Sequence, residues 1–332
     1  MKLRKLGSQG PEISALGYGA MSFADFYGKA TEEGSHAILD MARDLGVTHI
    51  DTSNVYGMGQ SEEFIGSYLA ANPSARDDFH IATKAAITRD ADGNRQFDNS
   101  PDHFEAELDK SLKRMGVDHV DLYYCHRRQA DVPIEEVIGT LDTLRRKGKI
   151  KAIGFSEIAP SSLRRAAMVA HVDAVQSEYS LQTRAPELGL VQTCAELGTA
   201  LVAFSPVGRG LLTDTPRTAE QVADMPFLKG NPRFLSPNLE ANLQILKGFR
   251  ALASDMGEPA AALSIAWLLA QDDHIIPIPG TRHTAFLRDL VRGTELTLST
   301  RDLARIEAVL PVGWCHGDRY NADQWIGPER YC

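Results

Sequence analysis

GYGAMS, Gly17–Ser22, decides between the two architectures that the rest of the chain permits. It closes an apolar run, Ser14–Gly19, at the place where an open doubly wound sheet would carry the glycine fingerprint that opens its first helix. Two glycines are present and the third is missing, and no Gly-x-x-x-x-Gly-Lys-Ser/Thr segment occurs elsewhere. The alternation of short β-branched runs with longer amphipathic stretches therefore reads as an α/β fold of another kind, a closed (β/α)8 TIM barrel.

Working outward from that turn, eight strands are expected near Ser14–Gly19, Val47–Asp51, Phe79–Lys84, His119–Cys125, Ile150–Phe155, Ala174–Gln176, Ala200–Phe204 and Ile275–Ile278. Between them lie helical patterns. Pro133–Arg146, for example, puts Ile134, Val137, Ile138, Leu141 and Leu144 on one stripe that should pack on the barrel. Ahead of the first strand, LRKLGSQGPEIS reads as a β-hairpin turning at Gly7–Gly10, a plug over one barrel end. A long polar, Pro-containing stretch from Ser205 to Asn238 follows the seventh strand, and loops of that length in compact domains are usually functional. Helices resume at Leu239–Met256, Pro259–Ala270 and Thr297–Leu310, and the tail from Pro311 is irregular. No linker divides the chain, so residues 1–332 are expected to form one barrel domain.

Composition narrows the function classes. Apolar residues at 43% and charged residues at 24% are globular values. The net charge of -9 offers no footprint for a nucleic-acid backbone or an anionic membrane. Neither a spanning segment nor a signal peptide is visible, and a cytoplasmic protein is expected, monomeric or weakly homo-oligomeric. Cys125, Cys194, Cys315 and Cys332 form no CxxC pair and are read as free thiols.

In a barrel, chemistry sits at the C-terminal ends of the strands. Asp51 ends the second strand in THIDTSNVYG, Tyr56 follows on the loop, Lys84 ends the third in HIATKAA, and His126 ends the fourth in DLYYCHRR. Singly, the Asp could cap a turn, the Tyr pack, the Lys be solvated and the His satisfy a core hydrogen bond. Their placement on three consecutive strand ends suits hydride addition to a carbonyl, because the alkoxide that develops needs a proton donor and hydrogen bonds. Tyr56 would give the proton, Lys84 would lower the phenol pKa, Asp51 would hold the ammonium, and His126 would orient the substrate oxygen.

DTSNVYG, with Lys84 in IATK and His126 in YYCHR, resembles the catalytic motifs of the aldo-keto reductases. The resemblance runs through KLGSQGPEISALGYGAM, GKIKAIGFSE, VDAVQSEYS, VAFSPVGRGLL and IPIPGT. It is strongest toward the microbial pyridoxal-reductase-like branch, related to the β subunits of voltage-gated potassium channels. It implies a (β/α)8 barrel, a small-molecule carbonyl substrate and NADPH (NADP+) bound without the missing fingerprint. By the same resemblance Ser156 and Gln176 hold the nicotinamide carboxamide, Gly19, Ala20, Met21 and Asp51 also contact the cofactor, and Phe204 stacks on the ring. Ser205, Pro206, Gly208, Arg209 and Gly210 meet the pyrophosphate, and Gly280, Thr281 and Arg282 meet the ribose 2′-phosphate. Leu290 stands where many relatives have an Asn toward adenine, which leaves that end to Arg288 or Asp289; Glu157 stands where Asn is common.

Three other readings stay open on sequence. A non-enzymatic nicotinamide-cofactor sensor or regulatory subunit would keep the same motifs. A Schiff-base aldolase would use Lys84 as nucleophile, although a neighbouring carboxylate raises a lysine pKa. A zinc site would need partners that His126 lacks at metal spacing. For the substrate wall, Phe23, Phe26, Tyr27, Trp314, His316, Tyr320 and Trp325 are candidates.

Overall fold

The structure, a computed structural model, describes residues 1–331; Cys332 lies outside the described residues. Two short strands, β1 (Leu3–Lys5) and β2 (Glu12–Ser14), pair antiparallel around the glycine-rich turn. The first barrel strand, β3 (Tyr18–Gly19), follows after a break at Gly17. The expected strand Ser14–Gly19 is thus two elements, the return of the hairpin and a two-residue barrel strand.

The other barrel strands are β4 (His49–Asp51), β5 (His80–Ala85), β8 (Val120–Cys125), β9 (Ile150–Ser156), β10 (Ala174–Glu178), β11 (Ala200–Phe204) and β12 (Ile275–Pro277). They form one parallel sheet of eight in the order β3-β4-β5-β8-β9-β10-β11-β12. The sheet curls until its two edges meet, and Gly17 N donates to Pro277 O at 2.9 Å and Gly19 N to Pro279 O at 2.9 Å. Side chains would block this seam: a Cβ on Gly19 would stand 2.7 Å from Ile278 O, and one on Gly280 2.4 Å from Gly19 O. The fold is a (β/α)8 barrel.

Alternation along the strands sorts the apolar residues into two layers. Ala82, Leu122, Tyr124, Ala152, Val202 and Ile276 fill the lumen, and Leu6 and Ile13 of the hairpin close it from below, as a plug. The outward-facing residues pack against the helices, where Ile134, Val137, Ile138, Leu141 and Leu144 of helix Ile134–Arg146 are all buried. Each such side chain contributes about 1.5–3 kcal/mol by leaving water.

Three segments rise above the C-terminal strand ends. A second hairpin, β6 (Ile87–Arg89) with β7 (Arg95–Phe97), follows β5 and was not anticipated. The stretch after β11 carries short helical turns at Gly208–Gly210, Ala219–Ala223 and Pro232–Phe234 before helix Asn238–Asp255. The tail beyond helix Thr300–Val309 crosses the same face.

Candidate active site

Asp51 and Lys84 end neighbouring strands with their side chains inside the barrel mouth, and both are buried. Lys84 Nζ donates to Asp51 Oδ1 and, at 2.7 Å, to Thr52 O, while Gln176 Nε2 donates to Asp51 Oδ2 at 2.8 Å. The ammonium lies between two rings, 5.1 Å from the Tyr56 centroid and 5.6 Å from that of Tyr124. Tyr56 reaches it from a turn that needs left-handed backbone at Gly57, φ 62°. His126 completes the group: its ring stands edge-on to Tyr56, centroids 6.0 Å apart, and its Nδ1 is 3.1 Å from Ser53 Oγ.

Burial sets the protonation states. It would depress the Lys84 ammonium, but Asp51 and Tyr56 outweigh it and hold that pKa above its ordinary value. The amine is therefore charged and fully enclosed, which argues against a Schiff-base nucleophile. Burial raises the Asp51 carboxyl against the pull of Lys84 and Gln176. His126 is driven well below its ordinary value by burial, then by Arg127, Lys84 and Arg95, so its imidazole is neutral. Tyr56 corrects an expectation: Lys84 does pull its pKa down, yet burial outweighs that pull and leaves the phenol above its ordinary value.

A cleft of about 1020 Å³ runs from this group along the strand ends. Of the residues assigned to the cofactor from sequence, Gly19, Met21, Asp51, Ser156, Gln176, Phe204, Ser205, Pro206, Arg209, Gly210, Gly280, Thr281, Arg282 and Asp289 line it. Ala20, Gly208 and Arg288 do not: Ala20 is packed in the outer core, Gly208 is buried under the turn, and Arg288 is exposed on helix Thr284–Arg292. Of the proposed substrate wall, Phe26, Tyr27 and Tyr320 line the cleft, whereas Phe23 and Trp314 pack in the core and His316 and Trp325 lie outside it.

Two arginines are engaged differently from the reading of the sequence. Arg209 Nη2 donates to Glu178 Oε2 at 2.7 Å in a buried pair, with its guanidinium 4.7 Å over Phe227. Arg282 donates to the carbonyls of Lys29 and Tyr27 at 2.7 and 2.8 Å. Glu157 does not face the cleft as an Asn substitute. Its left-handed backbone, φ 58°, turns the buried carboxylate to Arg319 of the tail, which holds its pKa down to about 2 against burial.

Sequence reasoning missed Ser53 behind His126, and Arg127, whose only signal was the pair of arginines after a strand-end histidine. It also missed Arg217, a cleft residue whose buried Nε has no partner and whose pKa is lowered by burial and by Arg282.

These groups fit an extended dinucleotide phosphate. The turn after β11 has left-handed backbone at Ser205, Gly208, Arg209 and Gly210, with φ from 52° to 99°, the kind of backbone from which anion-binding concavities are built. Beyond it, Arg217 and Arg282 lie close enough to repel one another. Among the described residues no three His, Cys, Asp or Glu side chains are grouped as metal ligands, and no helix is long and apolar enough to cross a membrane.

Known proteins share this arrangement of chain. An aldo-keto reductase of Schizosaccharomyces pombe, whose name carries NADP(+), is 36% identical over 96% of this chain and 94% of its own. The holo form of an aldo-keto reductase from Bacillus halodurans superposes with a TM-score of 0.78 at 26% identity, over 98% of this chain and 99% of that one. A glycerol dehydrogenase from Gluconobacter oxydans shares the fold with a TM-score of 0.81 at 24% identity, over 93% and 94% of the two chains. The sequence model of the aldo/keto reductase family matches residues 15–311, nearly the whole barrel with every strand-end group just described, and the chain belongs to that family.

Proposed function

We propose that the protein reduces an aldehyde or ketone to an alcohol with NADPH, with Tyr56 as the proton donor. The observation that carries this reading is the buried Asp51–Lys84 pair beneath the Tyr56 ring, with neutral His126 opposite, at one end of the long cleft. The nicotinamide, when bound, supplies the hydride. Tyr56 supplies the proton to the developing alkoxide; its raised pKa keeps the phenol protonated at neutral pH, and the Lys84 ammonium stabilises the phenolate left behind. With Ser53 Oγ–H donating to Nδ1, the His126 Nε2 carries its proton toward the carbonyl oxygen.

For the cofactor, Ser156 and Gln176 would hold the carboxamide and Phe204 would lie under the ring. The Ser205–Gly210 turn would meet the pyrophosphate through backbone, since Arg209 is committed to Glu178. Arg282 would exchange two carbonyl partners for the 2′-phosphate, joined by Arg217, whose buried Nε has no hydrogen-bond partner among the described residues. The NADP(+) in the name of the fission-yeast relative supports the phosphorylated cofactor.

NADPH absorbance followed with a panel of aldehydes and ketones tests the reading. Tyr56→Phe should lower turnover about a hundred- to ten-thousand-fold and leave NADPH affinity, measured by fluorescence titration, near that of the wild type. Near wild-type turnover in the variant removes Tyr56 from the acid role. A wild type that binds NADPH and oxidises it with none of the panel favours a cofactor sensor.

A further inference from the structure

The cleft wall beside Tyr56 and His126 holds three guanidinium groups, Arg89 of β6, Arg95 of β7 and Arg127 just past β8. Among the described residues none of them forms an ion pair within 4.0 Å of a carboxylate. Arg127 is 7% exposed, and Nη1 makes both of its hydrogen bonds, to His126 O at 2.6 Å and Ser156 Oγ at 2.9 Å. Its buried Nε has no partner. Arg89 donates only to Gly93 O, at 2.7 Å. Arg95 lies over the Phe97 ring at 5.2 Å, and its pKa is pushed down to about 10 by burial, then by Arg127 and Arg89, with only Tyr320 acting the other way.

The carboxylates in the neighbourhood are spent elsewhere. Asp51 is paired with Lys84, and Glu157 with Arg319, Arg127 acting on Glu157 only from beyond ion-pair distance. Asp214 and Asp289, the other acids on the cleft, neighbour one another. A chain of net charge -9 thus gathers unpaired positive charge beside its reacting groups. Arg127 is buried, Arg95 half-buried and Arg89 exposed; holding the first two side by side away from water without a counter-ion is costly, and a guanidinium fork matches a carboxylate or a phosphate in geometry as well as in charge.

We infer that the substrate is a carbonyl compound bearing an anionic group, a carboxylate or a phosphate, which Arg95 and Arg127 receive while its carbonyl oxygen lies between Tyr56 and His126. This rests on the reductase reading, and the reaction is unchanged by it. Hydride goes to the carbonyl carbon, the Tyr56 proton goes to the oxygen, and the anionic group is not altered.

Two matched pairs of probes test it, 4-carboxybenzaldehyde against benzaldehyde and glyceraldehyde 3-phosphate against glyceraldehyde. The anionic member of at least one pair should have the higher kcat/KM, by about ten- to a hundredfold, and the pair that responds says whether the group is a carboxylate or a phosphate. Arg95→Gln should bring that ratio toward one, and added salt should lower it in the wild type. Equal kcat/KM within both pairs overturns the inference, as does a ratio that survives Arg95→Gln. Calorimetry on NADP+-saturated protein, with benzoate and then inorganic phosphate, gives a reading independent of turnover. Binding weakened about tenfold or more by Arg95→Gln supports the anion site even where no aldehyde is reduced, an outcome that removes the reductase reading alone. No binding of either anion to the wild type overturns the inference whatever the turnover.

Discussion

Lys84 shows how one buried charge sets the chemistry of its neighbours. Burial raises the Tyr56 phenol, and the Lys84 ammonium, 5.1 Å from its ring, is the strongest opposing influence. Lys84→Met keeps most of the stem and removes the charge, so the phenol should become a still weaker acid. In the alcohol-oxidation direction the phenolate is the base, so the acidic limb set by its ionisation should move to higher pH by about one to three units, with reduction slowed. A pair of pH–rate profiles taken with one alcohol and NADP+ checks this, and an unchanged profile over a lower plateau would leave Lys84 a positioning role only. The four strand-end residues were legible in the sequence because each follows a strand whose apolar run is plain. The direction of the Tyr56 pKa was not, because spacing reports which charge is near and says nothing of how much water is excluded.

At the scale of elements, strand alternation that sends Asp51 and Lys84 into the barrel also sends His49 and His80 there, one layer below Asp51. Their Nδ1 atoms are 3.0 Å apart, and His49 is fully buried with no partner for Nε2. Burial and mutual repulsion hold His49 well below its ordinary pKa of 6.5, and burial holds His80 down to about 4. The unfolded chain therefore takes up protons below about pH 6.5 while the native pair stays neutral, so stability is full above 6.5 and falls between 6.5 and 4. The slope is up to about 1.4 kcal/mol per pH unit for each histidine. Urea unfolding at pH 7 and pH 5 should show a smaller loss for His80→Gln than for the wild type; equal losses would dismiss the pair as the cause. Seven of the eight barrel strands were legible to within a few residues, since buried parallel strands are continuous apolar runs. The first was drawn together with its hairpin because Gly17 sits inside one apolar run and marks a break only once the seam is seen. The β6–β7 hairpin escaped notice although TRDADGNRQF carries an Asp-Gly turn signal.

Across the whole molecule, the tail read as irregular is fastened to the strand ends. Arg319 pairs with buried Glu157, its carbonyl accepts from Asn231 Nδ2 at 2.5 Å, and Glu329 binds Arg128 at 2.7 Å and, through its amide, Glu157 O at 2.8 Å. No local pattern announces such a role, because the partners lie far apart in the chain. Arg319→Met should cost about 3–5 kcal/mol, since it leaves a buried carboxylate unpaired. Adding Glu157→Gln should return much of that loss, and a double variant as unstable as the sum of the singles would contradict the pairing. The seam between β3 and β12 has a further effect, on the making of the protein. The Tyr18 hydroxyl bonds Thr281 O, 263 positions later in the chain. A ribosome adding roughly 5–20 residues per second delivers that partner on the order of ten to fifty seconds afterwards. For all that time the Gly17 and Gly19 amides face outward from the nascent sheet, open to any passing strand. A first strand only two residues long offers little to pair with, so the emerging polypeptide waits for its own end with its sticky edge kept short.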